Sequence, residues 1–264
     1  MNKGSIGIFD SGIGGTSIWR EVSKMLPYED TLYLADSKNA PYGERTKDQI
    51  VQLSIKNVEF LKNKGCKLII VACNTATTNA IKELRELYRI PLIGIEPAIK
   101  PAALNSKTKT VGVLATKGTL SSALFHHTSE NHANGITVLE QEGTGLVELI
   151  ELGEVYSDRT KELLQKYLEP MLKKGIDQLV LGCTHYPYLI PLLQEMLPKN
   201  IRIIDSGEGV AKQTKNILQK YGLFNEGSSF AGGKHQFFTN GDVLVLKDFL
   251  KDITVPYTAQ YLDF

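Results

Sequence analysis

The sequence predicts an α/β fold built from two similar, doubly wound parallel-sheet domains in a pseudo-symmetric arrangement. Two observations lead to this prediction. Short apolar segments alternate with helical stretches along the chain, which is typical of a parallel sheet covered by helices. Four of these segments also occur twice in the same order, and one repeated pair ends in cysteine in both copies.

The repeated segments set the expected domain organisation. They are 6–12 and 111–118, 32–36 and 136–140, 67–75 and 178–185, and 91–96 and 201–205. A single match would mean little, because buried parallel strands are all rich in valine, isoleucine and leucine. Four matches in order indicate a duplicated unit of about a hundred residues, longer than the roughly 20–50 residues of a solenoid repeat. We expect a discontinuous first domain, 1–97 plus 207–264, around a second domain, 98–206.

The best-marked helix follows the second strand. Thr46 and Gln49 have the spacing of a capping box, and Gly65 is placed to end the helix. Cys66 comes directly after this glycine, where the next strand begins, and we expect it to be a buried structural thiol.

Later elements complete both units. Helices are expected over 160–174 and 207–221, and a further one begins at 186–187, where proline suits the first turn. The last forty or so residues break the repeat, since 236–239 resembles a strand and a turn at 240–242 leads into a short helix. We expect this tail to pack on the first domain.

Composition limits the class of protein. The chain has 264 residues, 42% of them hydrophobic, and a net charge of +1, which excludes a disordered tail and argues against a nucleic-acid partner. Three cysteines, an odd number, fit a reducing compartment. The sequence contains neither a secretory leader pattern nor an apolar run near the ~20 residues of a membrane helix, so a cytoplasmic protein without membrane contact is expected.

The strand ends supply the candidate site residues. Ligands of open parallel sheets bind outside the carboxyl ends of the strands, where helix N-termini offer backbone N–H groups. The residues at these ends are Asp10, Ser11, Gly12, Asp36, Cys73, Asn74, Thr75, Thr116, Cys183, Thr184, His185, Asp205 and Ser206. The set contains no arginine, so an anionic ligand would be held largely by backbone amides and hydroxyl groups. We expect the site in the cleft between the domains.

The two strand-end cysteines carry the functional hypothesis. A cysteine at the end of one buried strand is usually a small hydrophobic residue. Cys73 and Cys183, however, occupy equivalent positions in the two copies, which favours two reactive thiols that face each other. Such a pair suits a reaction that removes a proton from one face of a carbon and returns it to the other.

Other interpretations remain open for the neighbouring residues. Asp10 could simply cap the following helix, and His185 could be an ordinary, partly buried histidine. A zinc site lacks the usual Cys-x-x-Cys or paired-histidine spacing, so no metal is expected. The remaining histidines, at 126, 127, 132 and 235, lie on no predicted strand end and are expected to face solvent.

At these residues the chain resembles the glutamate racemases. The resemblance extends along nearly the whole chain. It is carried by Ile8-Phe-Asp10-Ser11-Gly12-Ile-Gly14-Gly15, Asp36 with Pro41-Tyr42-Gly43, Ala72-Cys73-Asn74-Thr75-Ala76, Gly118-Thr119, and Gly182-Cys183-Thr184-His185-Tyr186-Pro187. The aspartate racemases of the same superfamily tend to carry a different glycine-rich opening and a glutamate in place of His185, so the motifs favour glutamate.

The resemblance implies a role for each matching residue. Cys73 and Cys183 would be the two catalytic bases, with Asp10 assisting the first, His185 the second, and Glu151 orienting the histidine. The substrate contacts that it implies are Asp10, Ser11, Pro41, Tyr42, Gly43, Cys73, Asn74, Thr75, Thr116, Thr119, Cys183, Thr184 and His185. It implies an enzyme without a cofactor that supplies D-glutamate for bacterial peptidoglycan, and hence for cell-wall biogenesis and cell shape. We also expect a homodimer.

Two rival functions stay open on the sequence. A Cys–His hydrolase or transferase would use one thiol as a covalent nucleophile and would leave the other without a task. A non-catalytic protein with the same two domains would bind glutamate without changing its configuration.

Overall fold

The computed structural model describes residues 4–132, 135–227 and 232–264. Its contacts divide the chain into two compact units, Met1–Ile95 with Gly207–Phe264, and Glu96–Ser206. Within these described residues each unit has one sheet, and every paired strand runs parallel to its neighbour, so the predicted fold class is confirmed. The predicted limits of independently folding domains, 1–97 plus 207–264 and 98–206, stay a prediction.

The chain order of elements is regular. The first unit begins with β1 (Ile6–Asp10), α1 (Thr16–Met25), β2 (Thr31–Ala35), α2 (Lys47–Asn63), β3 (Leu68–Val71), α3 (Asn74–Leu87) and β4 (Leu92–Gly94). The second contains α4 (Ile99–Asn105), β5 (Thr110–Ala115), α5 (Lys117–Leu120), α6 (Ala123–His132), β6 (Thr137–Glu142), α7 (Leu146–Glu151), α8 (Asp158–Lys173), β7 (Gln178–Gly182), α9 (Ile190–Met196) and β8 (Arg202–Ile204). The chain then returns to the first unit with α10 (Gly207–Lys220), β9 (His235–Thr239), α11 (Val243–Phe249) and β10 (Tyr257–Tyr261).

The strand orders confirm the internal repeat. The sheets run β10-β9-β2-β1-β3-β4 and β6-β5-β7-β8. The order β2-β1-β3-β4 is therefore repeated by β6-β5-β7-β8. Because each cysteine strand, β3 and β7, lies beside the first strand of its own unit, the two cysteines occupy the same place in their sheets.

The predicted start and end of α2 are confirmed. Thr46 and Gln49 form the reciprocal capping box, and Gly65 takes a left-handed φ of +78° just past the helix. Cys66 is 6% exposed, as expected of a structural thiol.

The carboxyl-terminal segment joins the first sheet. The predicted strand at 236–239 is β9, which pairs with β2. β10 follows as the edge strand beside β9 and was not predicted. Thr258 and Gln260 of β10 are exposed. An edge strand is less buried than the inner strands, so its sequence lacks the continuous apolar run by which those strands were predicted.

The prediction for His235 is wrong. This residue is 4% exposed at the start of β9, where Nδ1 lies 2.9 Å from Thr31 Oγ1 and the ring meets the edge of Trp19. Burial lowers the pKa of His235, so it packs as a neutral core residue. His126 and His127 are exposed as predicted, whereas the side chain of His132 lies outside the described residues.

Within the described ranges, none of the helices combines the length and the apolar character that crossing a bilayer requires.

Candidate active site

Three strand ends of the first unit lie together. Asp10 is paired in register with Ala35 at the end of β2, and the N–H of Asp36 donates to the carbonyl of Asp10 over 3.0 Å. On the other side of β1, the N–H of Ala72 donates to Phe9 over 2.8 Å. Asp10, Asp36 and Cys73 therefore end neighbouring strands at one edge of the sheet.

Cys73 lies at the amino terminus of α3. Its Sγ accepts a hydrogen bond from the N–H of Ala76 at 3.4 Å and lies 3.5 Å from Ser11 Oγ. The side chain is only 4% exposed. Since a helix N-terminus favours negative charge, this position stabilises the sulfur as a thiolate. We call Asp10, Ser11, Cys73, Asn74 and Thr75 the Cys73 cluster.

Asp10 is held rigidly by the glycine turn before α1. Its Oδ2 accepts N–H bonds from Gly15 at 2.9 Å and Gly12 at 3.3 Å, and the residue is fully buried. Gly15, not Asp10, is the N-cap residue of α1, and its N–H is one of the two that Asp10 Oδ2 accepts. The same bonds fix the carboxyl group beside the Cys73 strand.

Gly15→Ala should displace Asp10 and lower turnover. A Cβ at Gly15 would lie 2.6 Å from Asp10 Cβ and 2.8 Å from Tyr33 Oη, so the turn must shift. Under the catalytic role expected of Asp10, a misplacement of 1 Å can reduce kcat by up to about 100-fold. Gly209→Ala on α10 is the matched control, because its Cβ meets nothing within 4 Å. An unchanged kcat in the Gly15 variant would contradict the assigned place of Asp10.

Tyr42 belongs to a buried network around Asp36. Its Oη donates to Asp36 Oδ2 at 2.5 Å and accepts from Asn57 Nδ2 at 3.2 Å. Burial, followed by the charge of Asp36, raises the pKa of Tyr42 well above its usual value, so the phenol stays protonated. Pro41 and Gly43 flank it and are half-buried.

The residues that hold Asp36 were missed by the sequence analysis. Asn240 Nδ2 donates to Asp36 Oδ1 at 2.5 Å, and Lys56 Nζ lies 3.4 Å from the same oxygen. No local pattern marks Lys56, Asn57 or Asn240 as partners of an aspartate so distant in the chain. The only available signal was Asp36 itself, a carboxylate at a strand end.

Asn74 has an unused acceptor. Its side chain is 3% exposed, and Oδ1 has no hydrogen-bond partner among the described residues. A buried oxygen of this kind can accept from a ligand N–H group, which would offset the cost of leaving it unpaired. Thr75, the next residue, is 4% exposed in the same first turn of α3.

The second unit positions Cys183 in a chain of three side chains. Cys183 Sγ lies 3.8 Å from His185 Nδ1, and His185 Nε2 lies 2.6 Å from Glu151 Oε1. Cys183 is 7% and His185 2% exposed. We call Cys183, His185 and Glu151 the Cys183 cluster, which joins the end of β7 to the end of α7.

His185 has an altered basicity. Burial by itself would lower its pKa, but hydrogen bonds to Cys183 and Glu151 and the charge of Glu151 outweigh burial and raise the pKa well above the usual value. The imidazole therefore tends to hold a proton beside the Cys183 sulfur. This arrangement can deliver a proton to the thiolate or stabilise its negative charge.

Two of the predicted threonines of the second unit, Thr116 and Thr184, lie at neighbouring strand ends, and Thr119 lies in α5. Thr116 follows Ala115, which pairs with Gly182 immediately before Cys183. Thr116 Oγ1 and Thr119 Oγ1 are 3.1 Å apart, and Thr119 is fully buried. Thr184 is 3% exposed and lies between Cys183 and His185 in the chain.

Comparison with known proteins identifies the family. The family model described as Asp/Glu/Hydantoin racemase matches residues 14–214. The chain belongs to this racemase family. Relatives named glutamate racemase match the chain as well, which confirms the resemblance inferred from the motifs.

Individual members of the racemase family are similar over most of the chain. A glutamate racemase from Stutzerimonas stutzeri is 46% identical over 238 residues, 90% of this chain and 89% of the relative. The structure of Escherichia coli glutamate racemase with L-glutamate and an activator has a TM-score of 0.84 at 31% identity, with 97% of each chain covered. That of Francisella tularensis glutamate racemase with D-glutamate has a TM-score of 0.83 at 28% identity and covers 100% of this chain and 98% of its own.

Membership of the racemase family agrees with the chemistry of the two clusters. Each unit presents a buried thiol at the end of the corresponding strand, β3 or β7. Each thiol also has polar partners, Ala76 N–H and the helix terminus for Cys73 and His185 for Cys183.

Proposed function

We propose that this protein is a glutamate racemase that interconverts L- and D-glutamate without a cofactor. The observation that carries the proposal is the equivalent placement of Cys73 and Cys183 in two copies of the same sheet topology. A racemase must handle protons on opposite faces of one carbon, so two thiols of similar chemistry match the symmetry of the reaction.

The proposed reaction has two proton transfers. One cysteine begins as a thiolate and removes the α-hydrogen, while the other begins as a thiol and donates its proton to the opposite face. The enantiomeric substrate uses the same groups in exchanged roles. Because the α-hydrogen next to a carboxylate is very weakly acidic, the site must also stabilise a carbanion-like transition state. Backbone N–H groups at strand ends and helix termini provide preorganised dipoles for this purpose.

Each thiol has its own assisting group in this proposal. Asp10 assists at Cys73, and His185, oriented by Glu151, assists at Cys183. Support comes from the fixed carboxyl group of Asp10 and from the 2.6 Å contact between His185 and Glu151. The raised pKa of His185 favours an imidazolium that stabilises the adjacent thiolate.

Small polar groups are proposed to hold the substrate. Asn74 Oδ1 is a buried acceptor that can bind the substrate ammonium group. The other proposed contacts are Asp10, Ser11, Pro41, Tyr42, Gly43, Cys73, Thr75, Thr116, Thr119, Cys183, Thr184 and His185. Threonine and serine hydroxyls with backbone amides would bind the two carboxylates in place of arginine.

The relatives support glutamate as the substrate. The relative from S. stutzeri is named a glutamate racemase, and the E. coli and F. tularensis structures contain L- and D-glutamate respectively. We propose that the D-glutamate formed here supplies cytoplasmic peptidoglycan synthesis, and thereby cell-wall biogenesis and cell shape. A homodimer stays a prediction that light scattering can check.

Circular dichroism of glutamate solutions tests the proposal directly. The purified protein, dialysed against a chelator and without added cofactor, should bring L- and D-glutamate separately to zero ellipticity. Aspartate lacks one methylene group, so its kcat/KM should be about 10–200-fold lower. Comparable kcat/KM values for the two acids would instead assign the protein to aspartate.

Unchanged rotation of glutamate would favour one of the two rivals, and covalent labelling and calorimetry would then separate them. The chain of Cys183, His185 and Glu151 has the order of nucleophile, base and orienting acid found in cysteine hydrolases. A hydrolase would accumulate a covalent thioester with substrate esters or amides and leave the rotation of glutamate unchanged. A binding protein would release heat with glutamate in calorimetry and also leave its rotation unchanged.

A further inference from the structure

We propose that Tyr186 is a positioning residue that, together with His185, holds both ends of helix α7 and thereby keeps Glu151 in contact with the histidine. This inference rests on the proposed function, in which Glu151 and His185 assist Cys183. All residues involved belong to the second unit.

The first end of α7 is tied to Tyr186 through one carbonyl group. The carbonyl oxygen of Gly143 accepts the N–H of Leu146, the first residue of α7, at 3.2 Å. The same oxygen accepts the phenol of Tyr186 at 3.1 Å. The N–H of Gly143 donates to Ala115 at the end of β5 over 3.0 Å. Gly143 therefore links the sheet, the start of α7 and the segment after Cys183.

The second end of α7 is tied to His185. Glu151 is the last residue of this helix, and its Oε1 lies 2.6 Å from His185 Nε2. The helix has 6 residues and is about 9 Å long, too short to be stable by itself. Two consecutive residues, His185 and Tyr186, thus hold the opposite ends of a helix that has little stability of its own.

The contact at Gly143 leaves no space for a side chain. A Cβ at this position would overlap Tyr186 Oη and come within 3.0 Å of Leu146 Cδ1. Tyr186 is fully buried, so its ring cannot move aside without disturbing neighbouring groups. Glycine is therefore required here for close approach.

The phenol of Tyr186 remains a donor during turnover. Burial, followed by negative charge on Cys183 and Glu148, raises the pKa of Tyr186 well above its usual value. Ionisation of Cys183 strengthens this effect. The bond to Gly143 consequently persists in both protonation states of the catalytic thiol.

Tyr186→Phe is the decisive variant, because it removes only the hydroxyl group. Loss of one such hydrogen bond should lower kcat by about 3–10-fold, and by unequal factors in the two directions, because only Cys183 is served by this helix. The kcat/KM values for L- and D-glutamate must fall by the same factor, since the equilibrium constant between the enantiomers is one. The pKa of His185, measured by NMR of the imidazole nitrogens, should also fall as Glu151 moves away.

Tyr167→Phe is the matched control. The Tyr167 phenol donates to the carbonyl of Thr144 at 2.8 Å, one residue after Gly143, and this is not the carbonyl that Leu146 binds. The Tyr167→Phe variant should leave the pKa of His185 unchanged. Gly143→Ala and Tyr186→Phe should be non-additive in a double-mutant cycle, because both disturb the same contact.

The outcomes separate this inference from the proposed function. If the unaltered protein does not racemise glutamate, the proposed function fails, while the NMR measurement still tests the support of Glu151 by Tyr186. If racemisation is seen but Tyr186→Phe changes neither the pKa of His185 nor the ratio of the two kcat values, the positioning role is overturned. Equal effects of Tyr167→Phe and Tyr186→Phe would also overturn it.

Discussion

Cys73→Ala and Cys183→Ala should each lower kcat by at least about 10³-fold in both directions of racemisation. In the proposed mechanism every turnover requires one thiolate to remove a proton and one thiol to supply a proton, so the loss of either group stops both directions. Alanine keeps the small apolar volume of each buried site. The variants should therefore remain folded, which far-UV circular dichroism and thermal unfolding can verify.

Cys66→Ala is the matched control for these two variants. Cys66 is also buried, but burial alone raises the pKa of its thiol to about 12, so it stays protonated near neutral pH. Activity should be retained, with at most a modest loss of stability. Substantial racemisation by either Cys73→Ala or Cys183→Ala would contradict the two-base mechanism. Retained hydrolysis of an ester by Cys73→Ala would favour the Cys183 hydrolase instead.

Racemisation in D₂O should label product and substrate very unequally. When separate thiols hold the two protons, the product receives deuterium from a thiol that has equilibrated with solvent. The abstracting thiol returns the original hydrogen to the same face before it exchanges, so recovered substrate stays largely unlabelled. Product formed at low conversion should therefore carry almost one deuterium per molecule at the α-carbon, as proton NMR or mass spectrometry would show.

The same labelling experiment has a built-in control. Starting from L- and D-glutamate in separate reactions should produce the same pattern, because the two thiols merely exchange roles. A single base that serves both faces would place label in substrate and product alike. Equal deuterium in the two pools during the first turnovers is thus the result that excludes opposed thiols.

Much of the fold could be derived from the sequence because its signals are local or repeated. The capping box of Thr46 and Gln49 and the helix end at Gly65 each depend on residues a few positions apart. The repeat of four apolar segments predicted two similar sheets, and their strand orders agree. β10 could not be predicted, because an exposed edge strand lacks a strong apolar pattern.

The candidate site was derivable to the extent that it lies at strand ends. Asp10 with Ser11 and Cys73 with Asn74 were singled out because parallel strands bring their carboxyl ends to one edge. His235 shows the limit of this reasoning. Nothing in its neighbourhood indicated that β9 would be inserted beside β2, where Thr31 and Trp19 enclose the imidazole.

By itself, the sequence determined the fold class, the duplication, and which two of the three cysteines end equivalent strands, since each depends on a pattern along the chain. Tertiary structure alone decided the hydrogen-bond partners of the buried residues around the site. Asn240 meets Asp36 and Gly143 meets Tyr186 only after sheets and helices have packed. The contact between Glu151 and His185 was expected only through the family resemblance, and no pattern along the chain marks it. Such contacts join residues far apart in the chain, and their hydrogen bonds require positions accurate to a few tenths of an ångström. Local periodicity does not carry that information, because it determines which face is buried but not which distant polar group will lie opposite.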